Sequence, residues 1–220
     1  MLASELINDL IPPLKTSDSG EKAIALMQDY KVSHLPIVND EQFLGLISEE
    51  DIVSLNNPQE VIGNHMLSLT HPFVYDWQHL YDAIKLMSDM DLTVVPVLDV
   101  KETYLGVLSL NSLMDYFADL TAVSNPGAIL VLEIGQRNYS LSEIARIVES
   151  NDAHILSSYI YSDVDSTKMH VTLKIDKEDI TPIIQTFQRF NYTVRSFYQP
   201  KNEHDDTMDR FDSFMKYLNI

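Results

Sequence analysis

The sequence contains no cysteine, which excludes disulfide bonds, thiolate metal sites and cysteine nucleophiles. It also lacks any apolar run of the roughly 18 residues that a membrane helix needs, so we expect no membrane span. The first residues carry no early positive charge and are interrupted by Pro12 and Pro13. They do not look like a secretion signal, and we expect a cytoplasmic protein.

Positive charge is scarce: 15 Lys and Arg stand against 33 Asp and Glu, a formal net charge of −18. Residues 1–124 hold 5 basic and 19 acidic side chains, which is a net charge of −14, and every arginine lies beyond residue 136. Such a surface repels phosphate backbones and anionic lipid headgroups. We therefore expect neither a nucleic-acid nor a membrane partner.

Sequence motifs of catalysis are also missing. The chain has no nucleophile elbow, no Walker A loop and no GxGxxG run. None of its seven histidines stands at a zinc-binding spacing such as HExxH. We expect no metal site and no enzymatic activity.

An internal repeat organises the first half of the chain. Residues 21–40 align with residues 81–100, and residues 43–48 align with residues 104–109 after one inserted residue. Each unit predicts a helix, two short strands and a second helix. Neither unit, 1–60 or 61–122, is long enough to bury much core alone, so we expect the two to pack against each other.

In the first unit, the spacing of Gly45, Ser48 and Asp51 resembles the ligand-binding signature of the CBS domain, and the resemblance implies a role for each residue that has a physical reason. Gly45 lets the backbone approach a ligand closely. Ser48, at the opening of a helix, can share a phosphate with free N–H groups. Asp51, one turn later, can accept hydrogen bonds from two ribose hydroxyls. The pair Ser48 and Asp51 is equally typical of a helix cap, and the residues alone leave both interpretations open.

The second unit departs from this motif. It keeps Gly106 and Ser109 but has Ser112 where the first unit has aspartate. A serine cannot accept from both ribose hydroxyls as a carboxylate can. We expect a second cleft that is empty or that binds a different ligand.

Together, the repeat, Pro36 two residues after His34, and the run GLISEED from residue 45 to residue 51 resemble the CBS domain, named for cystathionine β-synthase. The resemblance covers about residues 1–120. It implies a tandem pair that binds adenosine-containing ligands in clefts between the repeats. The first cleft would be lined by Thr16, His34, Pro36, Ser48 and Asp51. The second would be lined by Thr93, Pro96, Ser109 and Ser112.

The acidity of residues 1–124 limits the ligand. This stretch has five lysines and no arginine, whereas a triphosphate needs several charge-assisted contacts or a bound cation. The candidates are AMP, ADP, Mg-ATP and S-adenosylmethionine, none of them required for catalysis.

A turn-rich break at residues 124–127 precedes a second domain. Residues 128–198 predict the order βαββαβ, a ferredoxin-like arrangement, so the whole chain is α/β (α+β) in class. The helix phrase SLSEIARIVESNDAHIL resembles the ACT domain, a small-molecule sensor that often responds to amino acids and often dimerises. Arg137, in the loop before this helix, is either a carboxylate ligand or a solvated surface residue.

Residues 199–220 form a tail whose apolar side chains fall at helical spacing. These are Met208, Phe211, Phe214, Met215 and Leu218. We expect the segment to dock on its own chain, on a dimer mate or on a partner protein.

These features predict a non-catalytic, ligand-sensing regulatory protein that binds an adenosine-containing metabolite, forms a homodimer and acts on an unidentified protein target. One alternative is a dimeric scaffold that has lost nucleotide binding. Another is an amino-acid sensor that works through the ACT-like domain.

Overall fold

The structure is a computed structural model that describes residues 1–55, 57–65, 69–162 and 167–200. The predicted tail at 199–220 therefore lies almost wholly outside the described residues. Residues 163–166, for which the sequence predicts a turn between two strands, lie wholly outside them. The chain divides into two compact units, the first ending at Tyr116 and the second beginning at Phe117. None of the helices in the described ranges is long and apolar enough to cross a membrane.

The first unit contains the two repeats, and each has the predicted order of helix, strand, strand and helix. The first repeat comprises α1 (Gly20–Tyr30), β1 (His34–Asn39), β2 (Gln42–Ser48) and α2 (Glu49–Val53). The second comprises the short strand β3 (Val74–Tyr75), α3 (Leu80–Met90), β4 (Val94–Leu98), β5 (Tyr104–Ser109) and α4 (Leu110–Leu120). The last turn of α4, from Phe117, falls in the second unit. Helices α1 and α3 lie 60 residues apart at both ends, so the offset of the sequence repeat is confirmed.

The two hairpins share their detailed register. In the first, Ile37 pairs with Gly45, and the pairing slips by one residue directly after Ile37. In the second, Val97 pairs with Gly106, and the pairing slips directly after Val97. Each slip is a β-bulge, which sharpens the local twist of the hairpin.

One hydrophobic core joins the two repeats, as their small size predicts. Leu35 and Ile47 of the first repeat and Val95 and Leu108 of the second are all fully buried in the same cluster. Burying one such side chain contributes about 1.5–3 kcal/mol. Without the other hairpin, each hairpin would expose these side chains to water and lose the stabilisation that their burial provides.

The repeats exchange the segments that precede their first helices. Asn8, near the start of the chain, donates its N–H to Val107 of β5 at 2.8 Å. In the same way, Leu46 of β2 donates to Thr70, which lies between the repeats, at 2.9 Å. Each hairpin is therefore flanked by residues that belong in sequence to the other half.

The second unit is a four-stranded antiparallel sheet with two helices. Its elements are β6 (Ala128–Gly135), α5 (Leu141–Glu149), β7 (Ile155–Ser162), β8 (Lys168–Ile175), α6 (Thr181–Arg189) and β9 (Thr193–Tyr198). The strand order is β7-β8-β6-β9, with β6 and β8 in the centre. This is the ferredoxin-like topology that the order βαββαβ predicts.

Alternation along β6 explains how the sheet meets its helices. Leu130 and Leu132 are fully buried against a cluster that includes Ile144 of α5 and Phe187 of α6. The residues between them face away, because successive strand residues point to opposite sides of the sheet.

Ser140 and Glu143 stand at the spacing of a capping box, and half of that box is present at the start of α5. The hydroxyl of Ser140 accepts from the N–H of Glu143 at 3.3 Å. The Glu143 carboxylate accepts from the Tyr192 hydroxyl at 2.8 Å, 49 residues away. Burial and this hydrogen bond raise the pKa of Tyr192 to about 12.

Candidate functional site

Ser48 and Asp51 form a reciprocal cap at the start of α2. The Asp51 carboxylate accepts from the Ser48 N–H at 2.9 Å and from the Ser48 hydroxyl at 2.7 Å. The Asp51 N–H donates to the Ser48 hydroxyl oxygen at 3.1 Å. Both carboxylate contacts use Oδ2, and a carboxylate has about four acceptor positions. The cap and a role in ligand binding are thus compatible at Asp51, whereas the Ser48 hydroxyl is already both donor and acceptor.

His34 lies beside this cap, because the first residue of β1 pairs with the last residue of β2, Ser48. Its Nδ1 is 3.2 Å from the hydroxyl of Thr93, and that hydroxyl also accepts from the Ser33 N–H at 2.9 Å. Burial lowers the pKa of His34, against the opposing effect of the Asp51 and Glu50 charges. The imidazole is therefore held towards its neutral form.

His34, Ser48 and Asp51 line a cavity of about 850 Å³, which is large enough for a drug-sized ligand. Its lining residues are Ser33, His34, Leu46, Ser48, Glu49, Glu50, Asp51, Val53, Ser54, Thr70, Met90, Asp91 and Leu92. Four of these side chains are carboxylates, and of the described residues that line the cavity none is lysine or arginine. The local charge favours a cationic or neutral ligand over a free phosphate.

Two residues that the resemblance assigns to this cleft are not among those that line the cavity. Thr16 accepts a hydrogen bond from the Asn39 side chain at 2.9 Å, and its carbonyl accepts from the Gly63 N–H at 2.8 Å. Pro36 is buried in β1, where it pairs with Leu46. The structure brings together His34, Ser48 and Asp51 and leaves Thr16 and Pro36 in supporting positions.

Of the residues assigned to a second cleft, Pro96 and Ser109 are buried, and Thr93 and Ser112 are half-buried. Thr93 contacts His34 of the first cleft, and Pro96 is buried opposite Val107. Ser109 is 1% exposed and forms with Ser112 a cap like that of Ser48 with Asp51. The Ser112 hydroxyl accepts from the Ser109 N–H at 3.1 Å, and the Ser112 N–H donates to the Ser109 hydroxyl at 3.1 Å.

The sequence interpretation missed Thr70, Met90 and Asp91 as lining residues. Thr70 reaches the cleft through the exchange of leading segments, which no local pattern reveals. Asp91 ends α3 in the left-handed conformation at φ 53°, and Lys31 ends α1 in the same way at φ 54°. The 60-residue offset of the repeat aligns Asp91 with Lys31. This alignment was the signal in the sequence that could have identified Asp91 as an acidic residue at the first cleft.

The second unit has a smaller cavity of about 400 Å³ at one end of its sheet. It is lined by Glu133, Ile134, Gly135, Asn138, Glu143, Lys168, Phe190, Asn191, Tyr192 and Thr193. Arg137 is exposed and is not one of them. Across the described ranges, no group of three or more histidine, aspartate or glutamate side chains is placed to hold a metal ion.

Comparison with protein-family models decides the nature of the first unit. The model described as the CBS domain matches residues 3–56 and again residues 70–119. The first unit is a tandem pair of CBS domains. Its two matched segments correspond to the two sequence repeats, and their hairpins share the core described above. Residues 120–220, which make up nearly all of the second unit, lie outside both matched segments.

Several solved structures resemble the CBS pair at low identity. A CBS domain pair/ACT domain protein from Thermotoga maritima is 19% identical, over 53% of this chain and 96% of that one, with a TM-score of 0.47. CBSX2 of Arabidopsis thaliana, solved in complex with AMP, is 21% identical, over 53% and 95%, with a TM-score of 0.46. The CBS domain pair of protein MJ0100, in complex with 5′-methylthioadenosine and S-adenosyl-L-methionine, is 20% identical, over 54% and 96%, with a TM-score of 0.44. With every TM-score below 0.5, these matches carry no further conclusion for this chain.

Proposed function

We propose that the protein is a non-catalytic regulator whose first CBS repeat binds an adenosine-containing metabolite. The observation that carries this proposal is the cavity of about 850 Å³ at Ser48 and Asp51. One oxygen of Asp51 serves the helix cap, and the carboxylate keeps acceptor capacity for vicinal ribose hydroxyls. Ligand binding would shift the population of two conformations, since no reaction is required.

The charge of the cleft narrows the choice of metabolite. Glu49, Glu50, Asp51 and Asp91 surround the cavity. A phosphate placed there without a cation would be repelled by every nearby carboxylate. S-adenosylmethionine, with its sulfonium and ammonium groups, suits this environment better than AMP or ADP, and ATP would need Mg²⁺.

The proposal also covers the assembly. We infer a cytoplasmic homodimer that acts on a protein target. Support for self-association comes from exposed apolar side chains near both caps: Val53 is 73% exposed on α2, and Leu110 and Met114 are 50% and 64% exposed on α4. Exposed apolar groups in this arrangement favour a protein interface.

Asp51→Ala and Ser112→Ala form a matched pair that tests ligand binding. Each removes the side chain that reciprocates a helix cap, so we expect each to cost about 0.5–2 kcal/mol of stability. Only Asp51→Ala should weaken S-adenosylmethionine binding, by about 1.5–3 kcal/mol or roughly ten- to hundredfold in Kd. Thermal-shift and calorimetric titrations with S-adenosylmethionine, AMP and Mg-ATP measure both effects.

The outcomes separate the candidate functions. An unchanged Kd in Asp51→Ala would remove Asp51 from the site. If the wild-type protein responded to no adenosine compound, the scaffold alternative would be favoured, with Ser48 and Asp51 serving only as a cap. Tight binding of AMP without Mg²⁺ would contradict the argument that the acidic cleft disfavours phosphate. It would leave the proposed adenosine site in place. A response to amino acids would favour sensing through the ACT-like domain, with the 400 Å³ cavity as its first candidate site.

A further inference from the structure

Helices α5 and α6 pack on one side of the sheet of the second unit. On the other side, at one end, the Ser157 hydroxyl donates to the carbonyl of Thr121, just after α4, at 2.8 Å. We call the other side the open face; it is centred on Val131, Tyr159, Tyr161, His170 and Thr172. Tyr159 pairs with Thr172, and Tyr161 pairs with His170, across β7 and β8. The neighbours of these residues along β6 and β8, such as Leu132 and Val171, are fully buried on the helical side.

Large aromatic rings are exposed on the open face. Tyr159 is 55% exposed, Tyr161 is 61% exposed, and Tyr198, opposite Ile129 at the other edge, is 62% exposed. Tyrosine supplies apolar area at a low cost in conformational entropy and is common in contact surfaces. The open face is thus suited to receive an apolar segment.

The open face is positive in a strongly negative chain. Among its strand residues, three basic side chains, Lys168, Lys174 and Arg195, stand against one carboxylate, Glu133, so the net charge is +2. Lys168 pairs with Glu133, and Arg195 contacts His170, so these groups lie close together. An acidic occupant would be attracted to this face.

The tail provides an occupant with matching chemistry. Residues 203–212 contain five acidic side chains and one arginine, a net charge of −4. Apolar residues at helical spacing, among them Phe211, Phe214 and Met215, follow or alternate with these acids. We propose that the tail docks on the open face of its own chain, with its apolar side chains against the tyrosines and its acids towards the lysines and Arg195.

The reach of the chain permits this docking. Strand β9, which ends at Tyr198, is an edge strand of the sheet. Four strands spaced about 4.8 Å apart span roughly 14 Å. The seven or so residues between Gln199 and Asp206 span up to about 23 Å when extended. The apolar part of the tail can therefore lie across the open face without crossing to another copy.

Cysteine cross-linking tests the docking of the tail. Because the chain has no native cysteine, only the introduced thiols can react. Thr172→Cys places a thiol at the centre of the open face, and Met215→Cys places one in the tail. The control combines Met215→Cys with Gln185→Cys, an exposed position on α6 on the opposite side of the sheet. A short bismaleimide should cross-link the first pair within one chain roughly tenfold faster than the control pair, because docking raises the local concentration of the two thiols.

A second set of variants tests the contacts themselves. The double change Phe211→Asp with Phe214→Asp should bring the rate of the Thr172–Met215 cross-link down to that of the control, while the melting temperature shows that the sheet remains folded. Equal rates in the two original pairs would overturn the proposal. Covalent dimers in place of an internal link would also overturn it, because the occupant would then be a second copy.

Discussion

The two CBS repeats share a backbone and differ in the chemistry that it presents. Both hairpins have the same register, the same bulge and a glycine at the same place. Both second helices begin with a serine whose hydroxyl accepts from the N–H three residues later. The reciprocating side chain is a carboxylate at Asp51 and a hydroxyl at Ser112. Either satisfies the helix terminus, so the cap alone does not require aspartate.

At three other pairs of corresponding positions, the residue at the first cleft is histidine or acidic, and its counterpart is apolar or basic. His34 corresponds to Val94, Glu49 corresponds to Leu110, and Asp91 has Lys31 as its counterpart. Ser48 is partly exposed, whereas Ser109 is 1% exposed. The first cleft is therefore lined by polar, acidic groups, whereas the serine that caps the second helix of the other repeat is buried. Duplication of a fold thus leaves each copy free to keep or to lose a site.

Substitution of the paired glycines should have the largest effect on stability. Gly45 and Gly106 have φ values of 147° and 150°, which side chains rarely adopt. We expect Gly45→Ala to cost about 1–3 kcal/mol. At Gly45 the added Cβ would lie 2.6 Å from the Cβ of Leu69 and 3.1 Å from the backbone oxygen of Thr70, and neither atom can move without the backbone. At Gly106 it would lie 2.4 Å from Cγ2 of Ile7, which rotation about χ1 can move away, so we expect Gly106→Ala to cost less.

Urea denaturation of both variants measures this difference. Wild-type protein and a conservative surface variant, Gln28→Ala on α1, serve as references. Equal losses at the two glycines would show that backbone strain, which the repeats share, outweighs the contacts that distinguish them.

His34→Val makes the first repeat match the second at this position and should change the pH dependence of stability. Because burial holds the pKa of His34 below its ordinary value of 6.5, the unfolded chain takes up this proton more readily than the folded one. Wild-type stability should therefore fall as the pH drops through the ordinary pKa towards the folded value. Chemical denaturation between about pH 8 and pH 5 should show a smaller fall in His34→Val. Identical slopes would contradict the buried, neutral state of His34.

Ser112→Asp should have the smallest effect. The new carboxylate can take over the cap at Ser109, so we expect stability to change by no more than about 0.5 kcal/mol. Since Ser109 is covered, the second repeat should still bind no ligand, and calorimetry with S-adenosylmethionine should give the same stoichiometry as wild type. A second equivalent of bound ligand would show that the missing carboxylate, and not burial, distinguishes the repeats.

Local patterns predicted the elements well where one force dominates. Apolar residues from Ala23 to Tyr30 recur at helical spacing, and those from Lys168 to Ile175 alternate as in a strand. These two segments form α1 and β8 in the structure. The spacing of Ser140 and Glu143 predicts a full capping box, but only the bond to the Ser140 hydroxyl is present. The Glu143 carboxylate instead accepts from the Tyr192 hydroxyl. The residues next to Glu143 do not indicate a hydrogen bond to a side chain 49 residues away.

The amino-acid sequence by itself determined the duplicated first unit, the βαββαβ order of the second and the strongly acidic first half, because repeat spacing, periodicity and charge are local properties. It also singled out Ser48 and Asp51. Only the tertiary structure decided that Thr70 and Asp91 join them, that Thr16 and Pro36 stand outside the cavity and that Ser109 is covered. These outcomes depend on which segments exchange between the repeats and on what packs over each helix start, and such contacts arise only when distant parts of the chain meet.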